Sequence, residues 1–207
     1  MIVYAPDMHI VHLESGHKSM APTSNIRQVT WELVNHPVHP QNEGPKVAKL
    51  TSVTWLDVAA TIRASQHQED NYQVQWRISL NGPRPDPVII GTEFRALVFG
   101  KDEDSSSDAV LLHREPAISF KPNSVQEFMQ HTDRPGTVPA RPTSIREAAE
   151  LEMIPGYNPD VQGFFTLTLP GQIRLNQMNG GVIVQIRNHN SVIKSGLQIE
   201  SVQLVQA

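Results

Sequence analysis

Along most of the chain, apolar and polar residues alternate with period two, the pattern of strands that bury one face and expose the other to water. The clearest case is segment 72–80, where every even-numbered residue is apolar and every odd-numbered residue is polar. Runs of this kind predict strands at 27–34, 47–64, 72–80, 87–99, 109–114, 163–169, 181–187 and 196–205. The predicted structure is therefore almost entirely β.

Glycine, proline and asparagine separate these runs, and they are the residues that tight turns between strands require. The predicted turns are Asn81-Gly82-Pro83, Phe99-Gly100-Lys101, Pro170-Gly171 and Asn179-Gly180-Gly181. Many short strands joined by such turns indicate an antiparallel β-sandwich or barrel.

The period changes in segment 117–162, where prolines accumulate. Capping-box sequences that begin at Ser124 and Ser144 predict short helices at about 124–131 and 144–152. Prolines between the two prevent one continuous helix. We therefore predict a single domain, 1–207, with an insertion at about 117–162.

Composition narrows the class of protein further. The 207 residues carry a net charge of -4, and the basic residues form no stripe, so nucleic acid is not an expected partner. The absence of cysteine excludes disulfides and thiolate chemistry. No apolar run is long enough to span a membrane, and neither a secretory signal nor an N-glycosylation acceptor is evident. These features predict a cytosolic chain.

Histidine pairs are the candidates for metal ligands. His36 and His39 are three residues apart, but Pro37 prevents the helix that would bring them to one face. His9 and His12 lie in a strand-like run, where residues three apart face opposite sides. Without cysteine or a clear third ligand, we predict no metal and no other cofactor.

Catalytic motifs are also missing from the sequence. It contains no nucleophile elbow, no phosphate-binding or dinucleotide glycine loop and no zinc-protease motif. The acids Asp57, Glu93 and Glu200 lie on strand-like segments, where a solvent-facing position is expected. We therefore predict that the protein is not an enzyme.

Three tryptophans remain as candidates for binding. Trp76 lies on the apolar face of its strand, and Trp55 lies within an apolar strand, so both are predicted to be core residues. Trp31 ends a strand just before the histidine- and proline-rich loop 35–45. At such a position the indole can be buried in the core or can contact a ligand. The residues alone favour burial.

Several segments, in order, resemble the Nictaba or phloem-lectin family. Segment 46–63, KVAKLTSVTWLDVAATIR, followed by Tyr72, is similar to the signature strand of that family. Three further segments resemble other parts of the family: 29–37 (VTWELVNHP), 163–165 (GFF) and 194–200 (KSGLQIE). The resemblance covers 29–80 and 163–206 and leaves the middle of the chain unaligned.

This resemblance implies a jelly-roll-like antiparallel β-sandwich in the cytoplasm and nucleus that binds N-acetylglucosamine oligomers or the core of N-glycans. It implies glycoproteins as partners, no metal and no membrane, and it suggests a homodimer. The sugar-stacking tryptophan of the family falls on Trp31, and its other sugar contacts fall in two loops. The predicted site comprises Trp31, His39, Asn188, His189 and Asn190. The alternative is a protein-interaction module on the same fold, with the insertion as its contact surface.

Overall fold

In a computed structural model of the protein, the described residues are 1–10, 17–18, 27–28, 31–37, 44–53, 55–63, 70–80, 92–101, 106–113, 157–176, 179–188 and 193–207. The helices predicted at 124–131 and 144–152 lie outside these residues, as does most of the insertion predicted at 117–162.

Most of the described residues are in strands, with one turn of 3-10 helix at Ala5–Asp7. The strands are β1 (Ile2–Tyr4), β2 (His9–Ile10), β3 (His17–Lys18), β4 (Arg27–Gln28), β5 (Trp31–Asn35), β6 (Lys46–Leu50), β7 (Leu56–Arg63), β8 (Asp70–Leu80), β9 (Glu93–Gly100), β10 (Ser106–His113), β11 (Phe164–Leu175), β12 (Asn179–Asn188) and β13 (Leu197–Gln206).

These strands form two main antiparallel sheets. The six-stranded sheet has the order β11-β8-β13-β6-β5, and β1 also pairs with β13. The five-stranded sheet has the order β10-β9-β12-β7-β2, and β3 and β4 form a separate ribbon. The predicted all-β antiparallel sandwich is confirmed, whereas its jelly-roll connectivity stays a prediction.

One hydrophobic core lies between the two sheets. Strand β8 contributes Val74, Trp76 and Ile78, and β12 contributes Val184 and Ile186, all of them buried in the same cluster. Each such side chain stabilises the fold by about 1.5–3 kcal/mol through loss of apolar surface to water. The alternation predicted for 72–80 and the burial of Trp76 are confirmed.

The single strand predicted at 47–64 is wrong, because this segment contains β6 and β7, which belong to different sheets. Between them, Val53 forms an isolated bridge with Lys194. Period-two alternation continues across both strands, so the pattern gives no sign of the point where the chain leaves one sheet for the other.

Two predicted turns are instead irregularities within strands. Pro170-Gly171 lies inside β11, where the pairing with β8 shifts register between Thr168 and Gln172. Because β11 is at the edge of its sheet, a residue without an amide N–H is tolerated there. Asn179-Gly180-Gly181 forms the first part of β12, again beside a register shift.

The described part of the chain has no helix that is long and apolar enough to span a membrane.

Candidate functional site

Three chain connections run between the sheets at one end of the sandwich, here called the crossover end. In the six-stranded sheet this end is marked by the pairs Trp31–Leu50 and Leu80–Leu197. In the five-stranded sheet it is marked by the pairs Leu56–Asn188 and Glu93–Arg187. Segments 51–55, 81–92 and 189–196 join the two sheets at this end. Loops carried on a rigid sandwich end are a common place for binding residues.

Two of these connections are fastened to each other through their backbones. The amide of Val53 donates to the carbonyl of Lys194 at 3.0 Å, and the amide of Lys194 donates back at 2.7 Å. The amide of Gly196 donates to the carbonyl of Leu50 at 3.1 Å. The backbone of the two connections is therefore held in place at the Val53–Lys194 bridge.

Lys194 itself is fully buried at this end. Burial lowers the pKa of Lys194 to about 8, because the charged ammonium loses hydration when it leaves water. The pKa of Lys194 is therefore close to physiological pH, so a fraction of the molecules carries a neutral amine at this position.

The structure places Trp31 differently from the predicted sugar-stacking position. The side chain is 3% exposed and belongs to the core cluster, next to Leu50 of the adjacent strand. Its indole Nε1 has no hydrogen-bond partner within the described part of the chain. A sugar ring has no access to the face of this indole, so the burial that the residues alone favoured is the observed arrangement.

Asn188 is likewise unavailable as a direct sugar contact. It is 2% exposed, and its Nδ2 donates to Oγ1 of Thr92 at 3.0 Å, which ties β12 to the segment before β9. His39, His189 and Asn190 lie outside the described residues. Of the predicted site, the structure therefore brings Trp31 and Asn188 to the crossover end and buries both.

Trp55 is the aromatic residue that the prediction misplaced. It was expected in the core, but its side chain is 54% exposed. It lies between the bridging residue Val53 and Leu56, which pairs with Asn188. Ile193, on the other bridged connection, is also 54% exposed. The crossover end therefore carries an exposed indole on a backbone that hydrogen bonds hold in place.

The sequence contained only a partial signal for the exposure of Trp55. The core residues of β6 and β7 that bracket it, Ala48, Leu50, Leu56 and Val58, all have even numbers. Trp55 has the odd numbering of the opposite face of these strands, but so does the buried residue Val53 on the same connection, so numbering alone does not distinguish the two.

Beneath the crossover end, the face of the five-stranded sheet opposite the core is charged and buried. Arg187 of β12 lies between Asp57 of β7 and Glu93 of β9 in the pairing register. Their side chains are 3%, 8% and 6% exposed, so the solvent-facing positions predicted for Asp57 and Glu93 are wrong. Asp57 also accepts a hydrogen bond from Nε2 of Gln185 at 2.7 Å. Buried charges of opposite sign on adjacent strands give each other the electrostatic compensation that burial requires.

Within the residues that the structure describes, no group of three or more His, Cys, Asp or Glu side chains is arranged to hold a metal ion.

Among comparisons with known proteins, only the comparison with solved structures gives similarities. No protein-family model matches the sequence, and no curated protein is similar to it. The fold is similar to the crystal structure of a Bacillus thuringiensis Cry1Da tryptic core variant, with a TM-score of 0.37 and 12% identity. The match covers 86% of this chain and 21% of that chain, so this protein spans about a fifth of the length of its neighbour. A similarity of this size assigns no function.

Proposed function

We propose that the protein is a non-catalytic lectin that binds N-acetylglucosamine oligomers or N-glycan cores at the crossover end. The observation that carries the proposal is the 54% exposure of Trp55 on a backbone fixed by the Val53–Lys194 bridge. A pyranose ring offers an apolar C–H face, which stacks on an exposed indole, while its hydroxyls need polar partners nearby.

Trp55 takes the stacking role that the resemblance to the Nictaba family assigned to Trp31. His189 and Asn190 remain the predicted hydroxyl contacts. The pair Asn35–Lys46, after which the loop with His39 leaves β5, is at the opposite end of β5 and β6 from Trp31–Leu50, so His39 is not part of the site proposed here. The connection that contains His189 and Asn190 starts directly after Asn188, whose strand partner Leu56 is next to Trp55. The cytoplasm and nucleus remain the proposed location, and a homodimer remains the proposed assembly.

A glycan-array screen of the purified protein and its Trp55→Ala variant tests this function. We expect binding to chito-oligosaccharides or N-glycan cores in the wild type. We expect the variant to lose roughly 2 kcal/mol, about thirtyfold in affinity, as stacked aromatic anchors do. Because Trp55 is exposed, the melting temperature of the variant should stay close to that of the wild type.

Leu33→Ala is the matched control, because Leu33 is an exposed apolar residue, at 38%, on β5. It removes apolar surface without touching the bridged connections, so it should bind as the wild type does. Trp31→Ala should instead unfold or destabilise the protein by about 3–5 kcal/mol, as truncations of buried tryptophan do.

Absence of glycan binding by the folded wild type would reject the lectin. In that event the exposed pair Trp55 and Ile193 would support the alternative of a protein-interaction surface.

A further inference from the structure

The face of the six-stranded sheet that points away from the core carries a polar groove of about 190 Å³. Strands β1, β8, β11 and β13 supply its lining. The groove lies along the strands rather than at the crossover end. Gln75 is five residues from Leu80, which marks that end, so the two are about 16 Å apart at 3.3 Å per residue.

Carboxamides and a hydroxyl form the first row across the groove. Gln75 faces Thr168 of β11 on one side and Gln203 of β13 on the other. Nε2 of Gln75 donates to Oγ1 of Thr168 at 3.1 Å, and Nε2 of Gln203 donates to Oε1 of Gln75 at 2.9 Å. These bonds fix the orientation of both amide planes. Each NH₂ group uses one of its two N–H donors in these bonds. The second N–H of each group and Oε1 of Gln203 take no part in these two bonds.

A charged second row lies next to the amides. Arg77 faces Thr166 of β11 and Ser201 of β13, and its guanidinium donates to the Asp160 carboxylate. Nε of Arg77 is 3.8 Å from Glu200, and Nε2 of His36 is 3.3 Å from the same carboxylate.

A register shift in β13 explains how Glu200 reaches the groove. The pairing of β13 with β8 shifts between Ile199 and Ser201, so Glu200 is an additional residue in the strand. The core-facing residues of β13 have odd numbers before Glu200, as Ile199 does, and even numbers after it, as Val202 does. Both Glu200 and Ser201 consequently line the groove, as expected of a bulge that redirects side chains.

The charges of this row select against anions. Arg77, the cation of the lining, lies beside two carboxylates: Glu200, which also lines the groove, and Asp160 next to it. The groove therefore offers an anion no excess positive charge. A phosphate, sulfate or uronic acid would meet repulsion at Glu200, and the guanidinium would have to leave its existing partners.

The remaining groups match a neutral, hydroxyl-rich molecule. A hydroxyl is both donor and acceptor, and the groove presents amide N–H, amide C=O, Thr166 and Ser201 hydroxyls within a small area. Ile2, 46% exposed, adds an apolar side to the groove. Its volume is below the roughly 300–1,000 Å³ of pockets for drug-sized ligands, which fits a single sugar ring.

We propose that this groove is a second binding site, for one neutral sugar ring or a polyol of similar size. Gln75 and Gln203 bond the hydroxyls, and Ile2 covers the C–H face of the ring. Its ligand belongs to the same class as that of the proposed lectin function. The groove is formed by different residues, so ligand binding in it does not depend on Trp55.

Nuclear magnetic resonance titration with single methyl glycosides tests the groove. The probes are methyl glucoside, galactoside, mannoside and N-acetylglucosaminide, with methyl glucuronide as the anionic comparison. We expect the side-chain NH₂ signals of Gln75 and Gln203 to shift saturably with at least one neutral probe, with Kd on the order of 1–10 mM for a ligand of this size. We expect methyl glucuronide to bind at least about tenfold more weakly.

The Gln75→Leu/Gln203→Leu double variant should lose at least about tenfold in affinity for the neutral probe. Gln73→Leu is the matched control, because Gln73 is on the same strand and the same face but does not line the groove. It should bind as the wild type does. If the double variant fails to fold, Thr166→Val, which removes one hydroxyl without loss of volume, replaces it and should weaken binding.

Absence of any saturable shift in the two carboxamides would overturn the groove proposal, and so would equal binding of methyl glucuronide. The indole N–H signal of Trp55 reports on the crossover end in the same spectra when chito-oligosaccharide is added. Failure of the groove and failure of the proposed lectin site are therefore separate observations.

Discussion

At the scale of single residues, burial decides what the chemistry of this protein can be. Trp31, which the family resemblance assigned to sugar stacking, is 3% exposed, and Trp55, which was predicted to be a core residue, is 54% exposed. Residue type predicted that an indole would be available for binding, but not which indole. The residues around Trp31 favoured its burial, and the structure agrees with them rather than with the resemblance. The odd number of Trp55 matched the outer face of β6 and β7, but the buried residue Val53 has the same parity, so the exposure of Trp55 needed the structure.

Lys194 gives the stability of the protein a specific dependence on pH. Its pKa is about 8 in the folded state and 10.5 ordinarily, so between these values the unfolded chain binds more protons. Stability must therefore rise with pH across that window and is lowest below it. The full shift corresponds to about 3 kcal/mol, but relaxation of the structure around the buried ammonium reduces it, and we expect a gain of roughly 1–2 kcal/mol.

Urea denaturation of the wild type and Lys194→Met at pH 7 and pH 10 measures this gain. All other ionisable groups are common to the two proteins, so the difference between them isolates Lys194. A difference that stays constant between the two pH values would contradict the buried ammonium.

Asp160 gives a second dependence on pH, with the opposite sign. Its Oδ1 accepts from the amides of Gln162 and Phe164 at 2.9 Å each, and Arg77 binds its other oxygen. Burial alone would raise the pKa of Asp160, but these two amide bonds and the Arg77 guanidinium together lower it. The charged carboxylate therefore stabilises the fold above pH 3.8, and this contribution is lost as the pH falls through the lowered pKa.

Asp160→Asn keeps the amide acceptor and removes the charge. At pH 6 we expect the variant to be less stable than the wild type by about 0.5–1 kcal/mol, the value of a partly exposed ion pair. The difference should shrink as the pH falls below 3.8 in parallel urea melts. A variant that is equally stable at pH 6 would show that Asp160 acts only as an acceptor for the turn.

At the scale of elements, alternation predicted where strands are but not how they continue. Six of the eight predicted segments fall on single strands or parts of them, whereas 27–34 includes β4 and part of β5, and 47–64 spans β6 and β7. Alternation with period two shows which face of a strand is buried. The alternation is the same in both sheets of a sandwich, so it does not show to which sheet a strand belongs. The groove was beyond such prediction because it needs the register of β8 with both β11 and β13. Glu200 and Ser201 are two consecutive polar residues in an otherwise alternating segment, with apolar residues at odd numbers before them and at even numbers after them. They were the one local sign of the bulge in β13.

Gly181 marks a place where β7 and β9 leave no room for a side chain on β12. A Cβ at this position would lie 2.5 Å from the carbonyl oxygen of Ile62 and 2.8 Å from Cζ of Phe99. We expect Gly181→Ala to destabilise the protein by about 1–3 kcal/mol, as overpacking does. Chemical denaturation measures the loss, and Gln172→Ala, an exposed strand position, should stay within about 0.5 kcal/mol of the wild type. A neutral Gly181→Ala would show that β12 shifts freely against its neighbours.

At the scale of the whole molecule, the chain alternates between the two sheets. From β6 to β8 it passes from the six-stranded sheet to the five-stranded sheet and back, and from β11 to β13 it does so again. The first strand, β1, pairs with the last, β13, so the two ends of the described chain close on each other. Neither sheet consists of a continuous part of the sequence, and each provides the apolar surface that the other buries.

This connectivity predicts that the described sheets unfold as one unit. Loss of either sheet exposes the inner face of the other, so no half of the sandwich retains a core of its own. We expect thermal unfolding to show a single transition in which the calorimetric and van't Hoff enthalpies agree. The tryptophan fluorescence, to which the buried residues Trp31 and Trp76 contribute, and the far-ultraviolet dichroism of the strands should change together. Two separated transitions would contradict the single domain predicted for 1–207, and so would a change in tryptophan fluorescence that precedes the change in dichroism. Either result would require one sheet to persist without its partner.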